Sequence, residues 1–226
     1  GGCGMSALGA IFTRELRLAF AGGGGPAGPA AFNLAALALA PLAIGPDADT
    51  LQAAGPGVIA FAALLATLQP AERIFSEDAS DGTLELYALS PVGLALSVFM
   101  KTLAFILAVF WTTPLLAFIG GLAYGMDVGS AFVLALGLAF AAPGLAFIAA
   151  FAGALAAGLK RAGLLIALIA APLQVPLLVF AAGAGRAAMD GTGLEGPNLM
   201  MALAGSLAAL ALAPFGAAAA LRARLE

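Results

Sequence analysis

The sequence predicts an all-α membrane protein with six transmembrane helices. Two observations carry that expectation. Of 226 residues, 63% are hydrophobic and only 9% are charged, whereas a soluble domain is about half apolar and about a quarter charged. Mean hydropathy is +1.09. The chain cannot cover a globular surface with polar groups, so lipid is its solvent. The charges also fall between six long uncharged stretches. Arg17 to Asp47 encloses 29 uncharged residues and Asp49 to Glu72 encloses 22; Lys101 to Asp127 encloses 25 and Asp127 to Lys160 encloses 32. Arg161 to Arg186 encloses 24 and Glu195 to Arg222 encloses 26. Each can supply the roughly 20 apolar residues that a helix needs to cross the hydrocarbon.

The same composition excludes several functions. Histidine is absent, which removes His-based acid–base catalysis, His-ligated zinc and His-ligated haem. Cys3 stands alone and cannot make an internal disulfide or a thiolate cluster. Net charge is −3, so there is no basic footprint for nucleic acid.

Taken in order, Gly1–Gly4 precede Met5 and read as a start-site remnant with Cys3 inert. Arg14 and Arg17 are followed by Gly-rich sequence rather than a short apolar core and cleavage site, so no signal peptide is expected. Residues 6–20 mix Ile11, Phe12, Leu16, Leu18 and Phe20 with Thr13, Arg14, Glu15 and Arg17. They read as a short interfacial helix along the inner leaflet; the alternative is a disordered basic terminus. Gly22–Pro29 is a breaker that separates residues 1–27 from a transmembrane domain over 28–226. The spans are placed at 28–46, 54–71, 93–119, 130–158, 162–183 and 198–220. No room remains for a second, soluble domain.

The basic residues set the orientation. With the N-terminus inside, Arg14, Arg17, Arg73, Lys101, Lys160, Arg161, Arg222 and Arg224 fall on the cytoplasmic side, and only Arg186 falls outside. Both termini are then cytoplasmic. The spans are rich in Ala and Gly, which lets helices approach closely in lipid; a codon bias would leave the same trace. Gln69 and Gln174 are amides within spans that could hydrogen-bond across helices. Gln174 lies between Pro172 and Pro176, and the expectation is that it satisfies a carbonyl freed by proline. Trp111 falls near mid-span and is expected to pack.

The loop between spans two and three carries the chemistry. It holds Glu72, Glu77, Asp78, Asp81 and Glu85, five of the twelve acidic residues. Its second half reads as a short helix. Asp81 can cap it and Glu85 suits the first-turn dipole. Leu84, Tyr87 and Ala88 share a face, and Ser90-Pro91 disfavours continuation. Such a helix suits docking into a groove on a cytosolic partner; a solvated loop kept out of lipid by its charges fits equally.

Glu72-Arg73-Ile74-Phe75, Asp78, Asp81-Gly82-Thr83-Leu84-Glu85-Leu86 and Leu89-Ser90-Pro91 resemble the intracellular loop of ABC-2-type permeases. More narrowly, the chain resembles the haem exporter protein B (CcmB) family, the permease subunit of the cytochrome c maturation ABC transporter. Arg14-Glu15-Leu16-Arg17, Ile44-Gly45-Pro46-Asp47, Lys101 and the six-span length support it, over nearly the whole chain. The chain departs from the family pattern at Gly22–Pro29, where a more hydrophobic start to span one is expected.

The resemblance implies an ABC-2-type permease in the bacterial inner (cytoplasmic) membrane, with an N-terminal interfacial helix and a cytoplasmic coupling helix. It implies a separate cytosolic ATPase dimer that binds ATP-Mg; this chain carries no Gly-x-x-x-x-Gly-Lys-Ser/Thr motif and is not itself expected to be an enzyme. Carried over by position, the ATPase-docking residues are Glu72, Arg73, Phe75, Asp78, Asp81, Gly82, Thr83, Glu85, Leu86 and Pro91 in the coupling loop 72–91. Further implied partners are a second copy of this permease, a haem-handling membrane subunit, a small single-span subunit and a periplasmic haem chaperone. Haem is handled by the complex. Met100, Met126, Met189, Met200, Met201, Tyr87 and Tyr124 are conceivable ligands, but methionine in apolar helices is ordinarily packing, and no haem site is assigned. An ABC-2 permease for a lipid, polysaccharide or drug shares every feature of the loop. A six-span channel or an intramembrane protease would need mid-membrane polar or catalytic groups that the spans lack.

Overall fold

The structure is a computed structural model that describes residues 9–10, 12–17, 25–45, 47–89, 93–159 and 162–225. No strand occurs among the described residues. Residues 12–17 form a short helix, α1. The spans are α2 (Ala27–Ile44), α3 (Ala48–Ala71), α6 and α7 (Leu94–Phe105 and Thr112–Ala123), α8 (Val128–Ala156), α9 (Ala162–Met189) and α10 (Pro197–Leu225). The loop after α3 folds into two short helices, α4 (Arg73–Ser80) and α5 (Thr83–Leu89). Six helical units are long and apolar enough to cross a membrane.

The chain reverses at sites legible in the residues. Gly45 takes φ 105° and donates its N–H to Pro41 O, closing α2. Asp47 then caps α3 by accepting from the Thr50 N–H at 2.8 Å. That cap starts the second span at Ala48 rather than at 54, because the helix continues through Pro56. Asp127 caps α8 in the same way through the N–H groups of Gly129 and Ser130 at 2.8 and 3.0 Å. These hydrogen bonds hold the Asp47 and Asp127 carboxyls below the usual carboxylate range, the Thr50 and Ser130 bonds counting most. The fifth and sixth spans also run past their expected ends, to Met189 and Leu225.

Helix α8 lies at the centre, packed by α7, α9 and α10, and α3 closes onto α9. Its buried face is largely Ala, Gly and Leu, including Leu134, Leu138 and Leu145. The closest approaches need glycine. A Cβ on Gly144 would lie 2.7 Å from Ser206 Cα on α10, and one on Gly153 would lie 2.5 Å from the Ala71 carbonyl at the end of α3. The Ser206 hydroxyl accepts the Gly144 N–H at 2.7 Å in the first of these crossings. At these two positions glycine lets backbones meet where lipid supplies no hydrophobic drive between helices. Helix α2 is the outlier: only Asn33 and Leu37 on it are buried.

Two sequence expectations are corrected here. Gln174 does not serve a proline-freed carbonyl on its own helix. It is fully buried, donates to Leu145 O on α8 at 2.9 Å and faces the Thr67 hydroxyl on α3 at 3.0 Å. Burial among three helices makes the interhelical partners nearer than the carbonyls along α9. Trp111 does not pack inside. It is 53% exposed, at the joint where a π-helical stretch, Ile106–Phe110, ends and α7 begins. The wider π turn shifts the register of the helix face, which places the indole on the outside of the bundle.

The Gly144 crossing gives a direct expectation. Gly144→Ala should destabilise the protein by about 1–3 kcal/mol, the scale of overpacking a tight core. Gly205→Ala on α10 should be neutral or better, because its nearest neighbour would sit at an ordinary 3.5 Å. Thermal melts in mild detergent check both; equal melting of the two variants would refute the packing role.

Candidate coupling site

The loop helices α4 and α5 are built by opposite requirements on their two faces. Gly82 takes φ 78° between them, a left-handed turn that favours glycine. The Asp81 carboxylate accepts the Thr83 N–H at 3.0 Å, which starts α5. Its hydrogen bonds with Thr83 hold the Asp81 carboxyl below the usual range. This anchor is present above that range and is lost as pH falls through it. On the inner face, Ile74 and Phe75 of α4 and Leu84 and Tyr87 of α5 are buried against Leu94 and Val98 of α6 and Ala217, Ala218 and Leu221 of α10. The shared Leu84–Tyr87 face therefore packs on the chain's own bundle. The outer face of α5 carries Glu85, with Leu86 67% and Leu89 83% exposed.

The docking residues expected from the sequence thus divide. Glu72, Arg73, Asp81, Glu85 and Leu86 are exposed, and Gly82 and Thr83 form the half-exposed turn. Phe75 and Asp78 point inward and are buried. Pro91 lies outside the described residues.

Asp78 is only 2% exposed, yet it is not stranded. Lys101 of α6, 8% exposed, places Nζ 2.7 Å from Asp78 Oδ2 and 2.7 Å from Glu15 Oε2 of α1. Arg14 completes the cluster. Its guanidinium lies 2.7 Å from Glu15 Oε1 and 3.7 Å from Asp78 Oδ1, and it donates to the Tyr87 hydroxyl at 2.9 Å. Tyr87 in turn donates to Glu15 Oε1 at 3.1 Å. Two cations, two carboxylates and one phenol from α1, α4, α5 and α6 thus form one neutral network.

Burial governs its electrostatics. Desolvation raises the Asp78 carboxyl above the usual range, opposed by the adjacent Lys101. Tyr87 is pushed up by burial and by the facing Glu15 and Asp78 carboxylates, so its hydroxyl keeps its proton as a donor. Such a network holds segments together mainly by the cost of breaking it: a lone buried charge is far worse than a matched pair.

Arg14-Glu15, Asp78 and Lys101 stand apart in the sequence, and no local spacing joins them. The available signal was Lys101 itself, a cation inside an apolar run, which in a membrane protein requires a named partner. Among the described residues no group of three or more His, Cys, Asp or Glu side chains is arranged to hold a metal ion. Of the conceivable sulfur ligands, Met126 is buried while Met200 and Met201 are exposed. The Tyr124 hydroxyl donates to Leu37 O at 2.6 Å.

Removing one charge should cost more than removing a pair. Lys101→Met should destabilise by about 3–5 kcal/mol, because it leaves the buried Asp78 with only the Arg14 guanidinium, at 3.7 Å, as counter-charge. Adding Asp78→Asn to Lys101→Met should recover part of that loss. A double variant no better than the single one, by thermal melting in detergent, would show that Lys101 and Asp78 act independently.

Comparison with known proteins places this geometry in context. A family model described as CcmB protein matches residues 6–224. Heme exporter protein B of Bradyrhizobium diazoefficiens is 37% identical over 226 residues, covering 98% of this chain and all of that protein. The Pseudomonas aeruginosa protein of the same name is 39% identical over 212 residues, covering 94% of this chain and 95% of its own. That of Paracoccus denitrificans is 40% identical over 221 residues, covering 96% and 99%.

Proposed function

The chain belongs to the CcmB family of haem exporter permeases, and from that premise we propose how it works. It is the transmembrane subunit of an ABC transporter for cytochrome c biogenesis. It couples ATP hydrolysis by a separate ATPase dimer to haem export, or to release of a haem-loaded periplasmic chaperone. A second copy of the permease, a haem-handling membrane subunit and a small single-span subunit complete the assembly in the bacterial inner membrane. Both termini and the α4–α5 loop face the cytosol.

One observation carries this reading. The loop presents Asp81, Glu85, Leu86 and Leu89 outward, while its inner side is tied to α6 by Lys101–Asp78 and to α1 by the Arg14–Tyr87 hydrogen bond. The outer face is a short acidic and apolar knob, suited to a groove with a basic rim on the ATPase. The inner network makes the loop move as one body with α1 and α6. Closure of the ATPase dimer would then displace α6, which reaches through the π-helical stretch and α7 to the far side of the membrane. Phe75 and Asp78 act in this scheme as internal ties rather than as contacts with the ATPase.

Reversing the outer charge should break docking without unfolding the chain. Glu85→Lys combined with Leu86→Lys leaves the Asp81 anchor in place, and should lower recovery of the ATPase with the permease at least about tenfold, since like charges across an interface cost several kcal/mol. Cytochrome c assembly should fall with it, while the melting temperature of the permease stays within a few degrees. Full ATPase recovery and full cytochrome c assembly in that variant would sink the docking assignment.

A further inference from the structure

The end of the bundle opposite the coupling loop holds a feature that the coupling scheme does not use. Between the last half of α2 and the first half of α3 runs an open groove with a cavity volume of about 470 Å³. Leu39, Ala43 and Ile44 line one wall, and Gly57, Val58 and Phe61 the other. Its lining is almost wholly apolar, and Phe61 is exposed along it.

A cation lies beside Gly57, one of the lining residues. Arg186 belongs to the last turn of α9, and a Cβ added at Gly57 would lie 3.0 Å from Arg186 Nη2. The guanidinium is thus laid over the bare backbone of Gly57, which is about 14 Å along α3 from Ala48 at 1.5 Å per residue. Its side chain is exposed and lies against Gly57, one of the residues that line the groove. It makes no hydrogen bond or ion pair with another described residue. The acidic residues at this end are engaged or distant: Asp47 and Asp127 cap α3 and α8, and Asp49, Asp190 and Glu195 lie beyond ion-pair distance.

We propose that this groove is a binding site for an anionic phospholipid, with an acyl chain along Leu39, Val58 and Phe61 and the phosphate on Arg186. Charge and shape favour that occupant. The groove opens where bilayer chains would surround it, its lining suits a hydrocarbon chain, and Arg186, beside Gly57, has no counter-charge among the described residues. A guanidinium binds a phosphate through two parallel hydrogen bonds, and a basic residue at the membrane surface favours an anionic headgroup over a zwitterionic one. Gly57 leaves the space in which the guanidinium rests.

The site can be read by fluorescence in the full-length protein. Trp111 is the single tryptophan, so Trp111→Phe with Phe61→Trp puts one indole in the groove. The protein is reconstituted in phosphatidylcholine vesicles containing either brominated phosphatidylglycerol or the same fraction of brominated phosphatidylcholine. The expected result is stronger quenching by the glycerol lipid, with an apparent preference of roughly tenfold, the scale of one charge-assisted contact. Arg186→Gln should abolish the preference and Arg186→Lys should keep part of it, which separates loss of charge from misfolding. Equal quenching by the two lipids, or a preference that survives Arg186→Gln, would overturn the proposal. Quenching by neither lipid would also overturn it, and would point to a protein segment seated in the groove.

Discussion

A lysine buried in an apolar helix cannot stay there alone, and Lys101 is the fixed point from which the loop end of this protein is organised. Its counter-charges come from two other segments, Glu15 near the N-terminus and Asp78 in the loop. Each carboxylate pays a desolvation cost of several kcal/mol on burial, which is offset only if the cation is in place. The three segments are therefore correlated: none can leave without exposing the others to an unpaired charge. Arg14 and Tyr87 extend the correlation to α5. A network of this kind adds little net stability compared with an apolar core, and what it contributes is register between elements that share no continuous backbone hydrogen bonding.

The apolar packing around the network has the same consequence. Phe75, Leu84 and Tyr87 anchor the loop helices on α6, α8 and the end of α10, where Leu221 is fully buried. A push on the outer face of α5 meets this cluster before it meets any other part of the bundle. Helix α2, by contrast, touches mainly α3 and α7 and lies outside the cluster. The bundle thus has a well-anchored side that includes the loop and a loosely covered side formed by α2.

How much of this was legible depends on whether the signal was local. The six spans follow from runs without charge, but the expected starts at 54 and 130 miss the caps that Asp47 and Asp127 provide, although a cap acts over only three residues. The Asp81–Gly82 turn was legible because its signal is local. Helix α4 was not: Arg73–Ser80 is short and polar, and its helicity rests on burying Ile74 and Phe75 under α8 and α6. The shared face of Leu84 and Tyr87 on α5 is legible, but what covers it is not, since periodicity identifies an apolar face without naming its partner. The Lys101 network joins residues up to 86 positions apart in the chain, and no spacing rule reaches that far. Trp111 was misplaced because a π-helical stretch changes the face count midway through the span.

The contrast between the two ends of the molecule ties these points together. At the loop end, the buried charges among the described residues are matched within the chain, so the chain completes that site by itself and offers an outer surface shaped by what remains exposed. At the far end, the carboxylates that cap helices are already engaged by backbone N–H groups, and Arg186 is left with an apolar groove for company. A protein surrounded by lipid can leave such a group to its solvent, because the solvent itself carries phosphate at one depth and hydrocarbon at the next. Matched charge fixes elements to one another, and unmatched charge at a groove fixes them to the surroundings; α6 is held in the first way, while the α2–α3 edge is suited to the second.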